Sequence, residues 1–264
     1  MIINNPESIH GNFKAKRIIS LVPSLTELLS DLSLDEEVLG ITKFCVHPKR
    51  WFRSKTRIGG TKNINTEIIH ELSPDLIIAN KEENVKEQIE DLSGSYNVLL
   101  TDINNLDTAI TGILQIGKLT SRVDKSEKLA THIRERFNDL AVASPGETKV
   151  NAAYLIWNNP YMAAGGGTFI DDMMQYCGLR NVFSDIERYP VITLDDIQER
   201  ECRFLLLSSE PYPFRKKHID KIKAILSEME IMLVDGEMFS WYGSRLLKSA
   251  RYFKSLHTQL IHSK

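Results

Sequence analysis

Cys45 and His47 are the residues whose types and spacing in this sequence most directly suggest metal chemistry. Imidazole and thiolate both bind transition metals, so Cys45-x-His47 is a candidate metal site with His47 as its ligand. A single Cys-x-His without a second cluster is more often part of a capped or buried loop. With Cys177 and Cys202, the cysteines have no regular spacing, and they predict neither a disulfide framework nor a CxxC site.

Gly165–Gly167 precedes Thr168 at the predicted start of a helix. Open backbone N–H groups at such a place can hold an anion such as a phosphate or a propionate, although a plain turn is the alternative. The segment lacks the lysine of a phosphate-binding loop and the GxGxxG spacing of a dinucleotide fold. Glu82 and Glu83 are adjacent, so their side chains diverge and do not form an acid/base pair. The sequence therefore predicts binding rather than catalysis.

Aromatic residues concentrate in the segments that follow predicted strands, where open α/β sheets bind ligands. All three tryptophans and several tyrosines fall in or beside these segments, which favours a flat-walled cleft for a large, partly apolar ligand. Trp157 and Trp241 are predicted to line it, although residues 241–245 could instead only pack the last helix. The candidate ligand-binding residues are Phe44, His47, Trp51, Lys62, Glu82, Trp157, Gly166, Tyr189, Glu210, Tyr212, Trp241, Tyr242 and Arg245.

Strands and helices alternate on both sides of one long helical pattern. Apolar runs at residues 17–22, 38–42, 75–79 and 98–101 predict buried strands, and Ser24-x-x-Glu27 predicts a capping box. Residues 124–142 form a continuous helical pattern about 30 Å long, with Leu129, Ile133, Phe137 and Leu140 on one stripe. The pattern predicts mainly parallel α/β sheets. The long helix is either a strut between two lobes or a crossover within one domain.

A short internal repeat supports the interpretation as two lobes. When Asp75 is aligned with Arg203, an acid lies eight residues before each position and a glutamate seven residues after it. The paired acids are Glu67 with Asp195 and Glu82 with Glu210. Matched offsets around the same helix–strand unit predict two lobes of similar build.

The segments RIISLVPSLTELL, VLGITKFCVHP and RIGGTKNINTEIIHELSPDLIIAN resemble the substrate-binding proteins of iron-complex and cobalamin ABC transporters. The cobalamin-binding members are the most similar, and the resemblance extends from about Arg17 to the final helix. It implies a class III periplasmic-binding-protein fold, in which two α/β lobes with mainly parallel sheets are joined by one long backbone helix. The implied divisions are residues 16–120, 123–143 and 149–262, with the ligand between the lobes.

The resemblance also implies roles for individual residues. Aromatic ligand contacts of the family fall on Phe44 and His47, and a ligand-facing tryptophan falls on Tyr189. A second such tryptophan falls on Thr61, which is a departure from the pattern. Two surface glutamates that dock on arginines of the membrane permease fall on the acids of the internal repeat, Glu67 and Asp195.

The function implied is that of a solute-binding protein, not an enzyme, that clamps a metal-containing small molecule for ABC-type uptake or intracellular carriage. Cobalamin or another corrinoid is the first expectation, and siderophore or haem iron, or a bare metal ion, is the alternative. An enzyme acting on a cofactor in the same cleft is the alternative class, but a cluster enzyme would need several cleft cysteines, and only Cys45 lies in a cleft loop. No covalently bound cofactor is expected.

The bulk properties limit the partners and the compartment. With 33 basic and 35 acidic residues spread along the chain and a net charge of −2, no nucleic-acid partner is expected, and the protein is expected to be a monomer. Residues 1–11 lack a basic stretch followed by an apolar one, so the sequence as it stands predicts a cytoplasmic protein. The family implies the periplasm if a leader was removed.

Overall fold

A computed structural model describes residues 1–3, 13–143 and 149–262. The described residues form two compact units. Unit 1 comprises those within Met1–Ile103, Asp107–His132 and Tyr242–Arg245. Unit 2 comprises those within Asn104–Leu106, Ile133–Trp241 and Leu246–Lys264.

The sheet of unit 1 is parallel throughout its described residues. Its strands are β1 (Ile2–Ile3), β2 (Ile18–Ser20), β3 (Val38–Ile41), β4 (Thr56–Arg57), β5 (Leu76–Asn80) and β6 (Val98–Thr101), in the order β1-β6-β5-β2-β3-β4. The helices are α1 (Pro23–Asp31), α2 (Lys49–Ser54), α3 (Thr66–Leu72), α4 (Lys86–Ser95) and α5 (Leu106–Leu119). β5 is buried along its whole length, which explains its continuous apolar sequence.

The long helical pattern is one unbroken helix, α6 (Val123–Ala143), as the sequence predicted. Its residues up to His132 belong to unit 1, and those from Ile133 belong to unit 2. On the predicted stripe, Ile133 and Phe137 are fully buried, whereas Leu129 and Leu140 are half-buried. The Phe137 ring packs edge-on against Tyr176 at 4.9 Å between centroids. The C-terminal part of this helix therefore packs into the core of unit 2 through Ile133 and Phe137.

The sheet of unit 2 is mainly parallel in its described part. Its strands are β7 (Val150–Trp157), β8 (Tyr161–Ala163), β9 (Leu179–Asn181), β10 (Val191–Ile192), β11 (Phe204–Ser208) and β12 (Glu230–Val234). The order is β10-β8-β7-β11-β12 with β9 also on β7, and β8 is antiparallel to both β7 and β10. The helices are α7 (Phe169–Tyr176), α8 (Leu194–Glu199), α9 (Lys216–Lys223), α10 (Gly236–Ser240) and α11 (Leu246–His262). The predicted fold class, two lobes with mainly parallel sheets, is confirmed.

The internal repeat of the sequence is a repeat of structure. The helix α3 and the strand β5 begin at Thr66 and Leu76, and α8 and β11 begin with the same spacing at Leu194 and Phe204. β5 lies between the parallel strands β2 and β6, and β11 lies in the same way between β7 and β12. The two units therefore share one helix–strand building block.

The predicted capping box at the start of α1 is wrong. The N-cap residue is Val22, without a side-chain cap, and Pro23 occupies the first turn, where its missing N–H costs no hydrogen bond. Thr26 Oγ1 instead donates to Val22 O at 2.9 Å, and the Glu27 carboxylate pairs with Arg245. Within the residues that the structure describes, no helix is both long and apolar enough to cross a membrane.

Candidate ligand-binding site

The loop after β3 presents exposed side chains on either side of a buried cysteine. Phe44 is 52% and Val46 40% exposed, whereas Cys45 has no exposed surface. Cys45 Sγ lies 3.1 Å from Thr26 Oγ1 and 3.2 Å from Thr42 Oγ1, and burial raises the pKa of the thiol. The buried Cys45 therefore holds the loop against Thr26 and Thr42, and its thiol is not accessible as a metal ligand. The Cys45-x-His47 metal pair is wrong for this reason, and half-buried His47 stays a candidate ligand alone.

Two asparagines hold the neighbouring loops of unit 1 in place. Asn84 Nδ2 donates to Thr61 O at 3.1 Å and to Leu21 O at 3.4 Å, while Asn84 Oδ1 accepts from Asn80 N at 2.9 Å. These contacts connect the segments that follow β2, β4 and β5. Sequence reasoning did not identify either asparagine, although both lie at the end of a buried apolar strand, where a buried amide has many backbone partners.

Lys62, Glu82 and Glu83 form the charged part of the same edge. Lys62 is exposed, and its Nζ donates to Glu82 O at 2.5 Å. Asn80 Oδ1 accepts from Glu82 N at 2.9 Å and fixes the turn. Burial raises the pKa of the Glu83 carboxyl; Lys62 opposes this shift, and Glu82 adds to it. Both predicted residues, Lys62 and Glu82, thus lie at the carboxyl edge of the sheet.

Trp51 is not part of this surface, and its assignment to the ligand site is wrong. It lies on α2, is 1% exposed, and donates its indole N–H to Asp35 Oδ1 at 2.7 Å. Arg50 and Lys55 flank the ring at 5.6 and 5.4 Å from its centroid. The six-residue helix is too short to show a periodic pattern, so the sequence analysis missed the turn of the chain that points Trp51 inward.

In unit 2, Trp157 and Tyr212 form an aromatic pair after β7 and β11. Trp157 is 41% exposed, and its ring meets Tyr212 edge-on at 5.6 Å. The Tyr212 hydroxyl accepts from Asn158 Nδ2 at 3.1 Å and lies 3.2 Å from His218 Nε2. His218 Nδ1 accepts from Arg215 N at 2.8 Å, so a neutral His218 carries its proton on Nε2 and donates it to Tyr212. Burial lowers the pKa of His218, the positive charge of Lys217 lowers it further, and both effects favour this neutral form.

Glu210 and Trp241 are joined by a hydrogen bond. Glu210 Oε1 accepts from Trp241 Nε1 and from Ser240 Oγ, each at 2.7 Å. Trp241 is only 6% exposed, and its place on the ligand surface stays a prediction. The buried indole N–H has to be hydrogen-bonded, and Glu210 is its partner. Glu210 itself is half-buried at the carboxyl end of β11.

Tyr242 and Arg245 belong to unit 1 and are buried there, at 4% and 5% exposure. Arg245 Nε and Nη2 donate to the two carboxylate oxygens of Glu27 at 2.7 and 2.9 Å. Arg245 thus has a partner within unit 1, and the assignment of both residues to the ligand site stays a prediction. Arg245 and Glu27 thus form a bidentate ion pair, which holds residues 242–245 against α1.

The glycine-rich segment before α7 is paired and offers no anion site at Gly165 or Gly166. Gly165 N donates to Arg188 O at 2.7 Å, and Gly166 N donates to Ile186 O at 2.8 Å. A Cβ at Gly166 would lie 2.3 Å from Ser184 O, so glycine is required by close approach of the backbone. Gly166 is therefore wrong as a ligand contact. Tyr189, in the segment that pairs with these glycines, is half-buried.

Glu67 and Asp195 are both exposed and occupy the same position of equivalent helices. Each is the second residue of its helix, after a capped start. Asn65 Oδ1 accepts from Ile68 N at 3.1 Å, and Thr193 forms a reciprocal capping box with Asp196. The docking role of the two acids stays a prediction.

The described residues place the following candidates at the carboxyl edges of the two sheets. In unit 1 these are Phe44, His47, Lys62 and Glu82; in unit 2 they are Trp157, Glu210 and Tyr212, whereas Tyr189 precedes β10 and lies at its amino end. Among the residues that the structure describes, no group of three or more His, Cys, Asp and Glu side chains could hold a metal ion. The arrangement offers aromatic faces, amide groups and a few charges, which suits binding of a large organic molecule.

Comparison with known proteins gives consistent matches. The model of the family described as Periplasmic binding protein matches residues 18–225. The vitamin B12-binding protein of Pectobacterium carotovorum is 23% identical over 255 residues, which cover 93% of this chain and 89% of that protein.

Two solved structures have the same fold. The periplasmic vitamin B12 binding protein BtuF of Vibrio cholerae has a TM-score of 0.82 at 19% identity, covering 96% of this chain and 100% of that one. The periplasmic haem-binding protein HutB of Vibrio cholerae has a TM-score of 0.77 at 20% identity, covering 92% and 98%.

Proposed function

Because this chain belongs to the Periplasmic binding protein family, a family of solute-binding proteins rather than enzymes, we propose that it binds a corrinoid such as cobalamin. The observation that supports this most directly is the partly exposed aromatic pair Trp157–Tyr212, which is held in place by Asn158 and His218. Rings fixed in this way offer a flat apolar wall to a macrocycle at little entropic cost. The vitamin B12-binding relatives favour the same ligand.

Each unit has its own candidate surface for the proposed ligand. Unit 1 supplies Phe44, His47, Lys62 and Glu82, and unit 2 supplies Trp157, Tyr189, Glu210 and Tyr212. The Asn80–Asn84 contacts and the buried Cys45 fix the loops of unit 1, so their side chains need little ordering when ligand binds.

Haem or a ferric siderophore is the second candidate. It is supported by the half-buried imidazole of His47, which could bind iron, and by the haem-binding structural relative. The bare metal ion has no comparable support and is not proposed.

Delivery to an ABC-type permease is the third element of the proposal. Glu67 and Asp195 supply one exposed carboxylate on each unit at matched positions. Basic groups on a permease would recognise them, and the protein would then act in the compartment that the permease imports from, the periplasm in the family.

The test is a titration of the purified chain with cyanocobalamin and, separately, with haem, followed by visible absorption and tryptophan fluorescence. We expect cobalamin to quench fluorescence, and Trp157→Ala to lower its affinity roughly 5- to 30-fold, as expected for the loss of about 1–2 kcal/mol of apolar contact. Trp51→Phe, which changes a buried indole of unit 1, is the control and should leave the affinity unchanged.

His47→Ala separates the two ligands, because it should weaken haem binding far more than cobalamin binding. Absence of binding to cobalamin, haem and ferric siderophores would contradict the proposed function.

A further inference from the structure

Residues 43–57 of unit 1 have an unusual charge pattern. They include six Lys or Arg residues and no Asp or Glu, whereas the whole chain has 33 basic and 35 acidic residues. This stretch, here the basic segment, comprises the loop after β3, the helix α2 and the strand β4. Charge that is spread along the rest of the chain is therefore locally positive here.

Three cations of the basic segment point into solvent. Lys43, Lys49 and Arg53 are exposed, and in the part of the chain that the structure describes they form no ion pair. Arg50, in contrast, pairs with Asp35, and Lys55 donates to the backbone oxygen of Asp35. The unneutralised charge thus lies on the loop after β3 and the outer face of α2.

Exposed apolar side chains alternate with these cations. Phe44, Val46 and Phe52 are 52%, 40% and 39% exposed. Lys43 Nζ lies 5.2 Å from the centroid of the Phe44 ring, and Arg57 Cζ lies 4.4 Å from that of Phe52. The rings are therefore presented beside cations on a surface that is both apolar and positive.

A bilayer interface is the partner that uses both properties. Aromatic rings enter the boundary between headgroups and acyl chains, while Lys and Arg stay at the level of anionic headgroups. Nucleic acid would use the charge but requires a more extended basic face than this chain, with its net charge of −2, provides. The inward-facing Trp51, bonded to Asp35, holds α2 so that Phe52 and Arg53 face outward.

We propose that the basic segment is a contact surface for a membrane containing anionic phospholipid. Each exposed cation near such a surface strengthens binding about fivefold, so three give about a hundredfold preference for anionic over neutral bilayers. The contact is reversible and depends on ionic strength. It brings a binding protein close to the bilayer through Val46, Phe52 and the exposed cations, and it does not require Phe44, which is also a candidate ligand contact.

The experiment is co-sedimentation of the full chain, without ligand, with vesicles of phosphatidylcholine alone or with about one third phosphatidylglycerol. The double variant Lys49→Glu/Arg53→Glu should lose more than tenfold in partition to the anionic vesicles. The matched control, Arg251→Glu/Lys254→Glu, makes the same charge change at exposed positions of α11 in unit 2 and should change partition less than about threefold.

Phe52→Ser tests the apolar part, and it should lower the binding that remains at high salt, where charges are screened. Circular dichroism and urea unfolding verify that each variant is folded.

Equal binding of the wild type to neutral and anionic vesicles would overturn the proposal. So would equal losses in the two double variants, since net charge alone would then explain binding. Retention on immobilised DNA without vesicle binding would overturn it in favour of a different anionic partner.

Discussion

The Glu27–Arg245 ion pair provides a quantitative test of whether Arg245 supports the fold or contacts ligand. Both side chains are less than a tenth exposed, and two hydrogen bonds of 2.7 and 2.9 Å join them. Arg245→Ala leaves a buried carboxylate without its guanidinium partner, which typically costs about 3–5 kcal/mol. The double variant Glu27→Leu/Arg245→Met replaces both charges with apolar groups and should recover most of this loss.

The measurement is urea unfolding monitored by circular dichroism, together with amide hydrogen exchange of peptides from α1. Exchange is needed because two units can unfold in separate steps, and a single unfolding free energy then has no clear meaning. We expect faster exchange in α1 for each single variant. The control is Lys81→Ala, which removes an ion pair with Asp102 that is about half-exposed and should cost at most about 1 kcal/mol.

Three results would refute this reasoning. The first is a loss in Arg245→Ala no larger than in Lys81→Ala, and the second is strictly additive losses in the double variant. The third is a folded Arg245→Ala protein of normal stability with weakened corrinoid binding, which would return Arg245 to the ligand site predicted from the sequence.

Three further outcomes are expected. Burial raises the pKa of Cys177 and Cys202 to about 12, so neither thiol should react with Ellman's reagent at neutral pH until the chain is unfolded, and rapid native reaction would contradict this. Burial lowers the pKa of His218 in the folded state, so neutral His218 contributes to the stability of the fold at pH values above its ordinary pKa near 6.5. This contribution is lost as the pH falls through the lowered pKa of the folded state. His218→Gln should flatten this pH dependence, and an NMR titration measures the pKa directly. Charge reversal at both Glu67 and Asp195 should leave ligand affinity unchanged and abolish stimulation of a cognate permease, whereas persistent stimulation would reduce the acids to helix stabilisers worth about 0.3–1 kcal/mol each.

The sequence was most informative where the physical pattern was long or fully apolar. The bounds of β6 were predicted correctly and those of α6 to within one residue at each end, because buried parallel strands give continuous apolar runs and long helices give several turns of periodicity. The short elements α2, α10 and β8 were missed. With three to six residues each, they form through contacts with neighbouring segments and not through a pattern of their own.

The candidate site shows the same limit at the level of side chains. The sequence identified the loops, because parallel strands place their carboxyl ends at one edge of a sheet. It could not decide which residues of a loop point outward. Trp51 and Trp241 are both aromatic residues near strand ends, yet each is turned inward by a carboxylate partner, Asp35 or Glu210, that is distant in sequence.

The internal repeat indicates what the two units share and where they diverge. At the end of β5, Asn80 Oδ1 accepts from Glu82 N, and at the end of β11, Ser208 Oγ accepts from Glu210 N at 3.3 Å. A polar side chain therefore fixes the same turn in both units and places a glutamate two residues later. The glutamates then differ in their surroundings, since Glu210 Oε1 holds the indole of Trp241, whereas Lys62 binds the backbone of Glu82. Matched turns are thus followed by different surroundings, so the candidate surface of unit 2 is more aromatic and that of unit 1 is more charged.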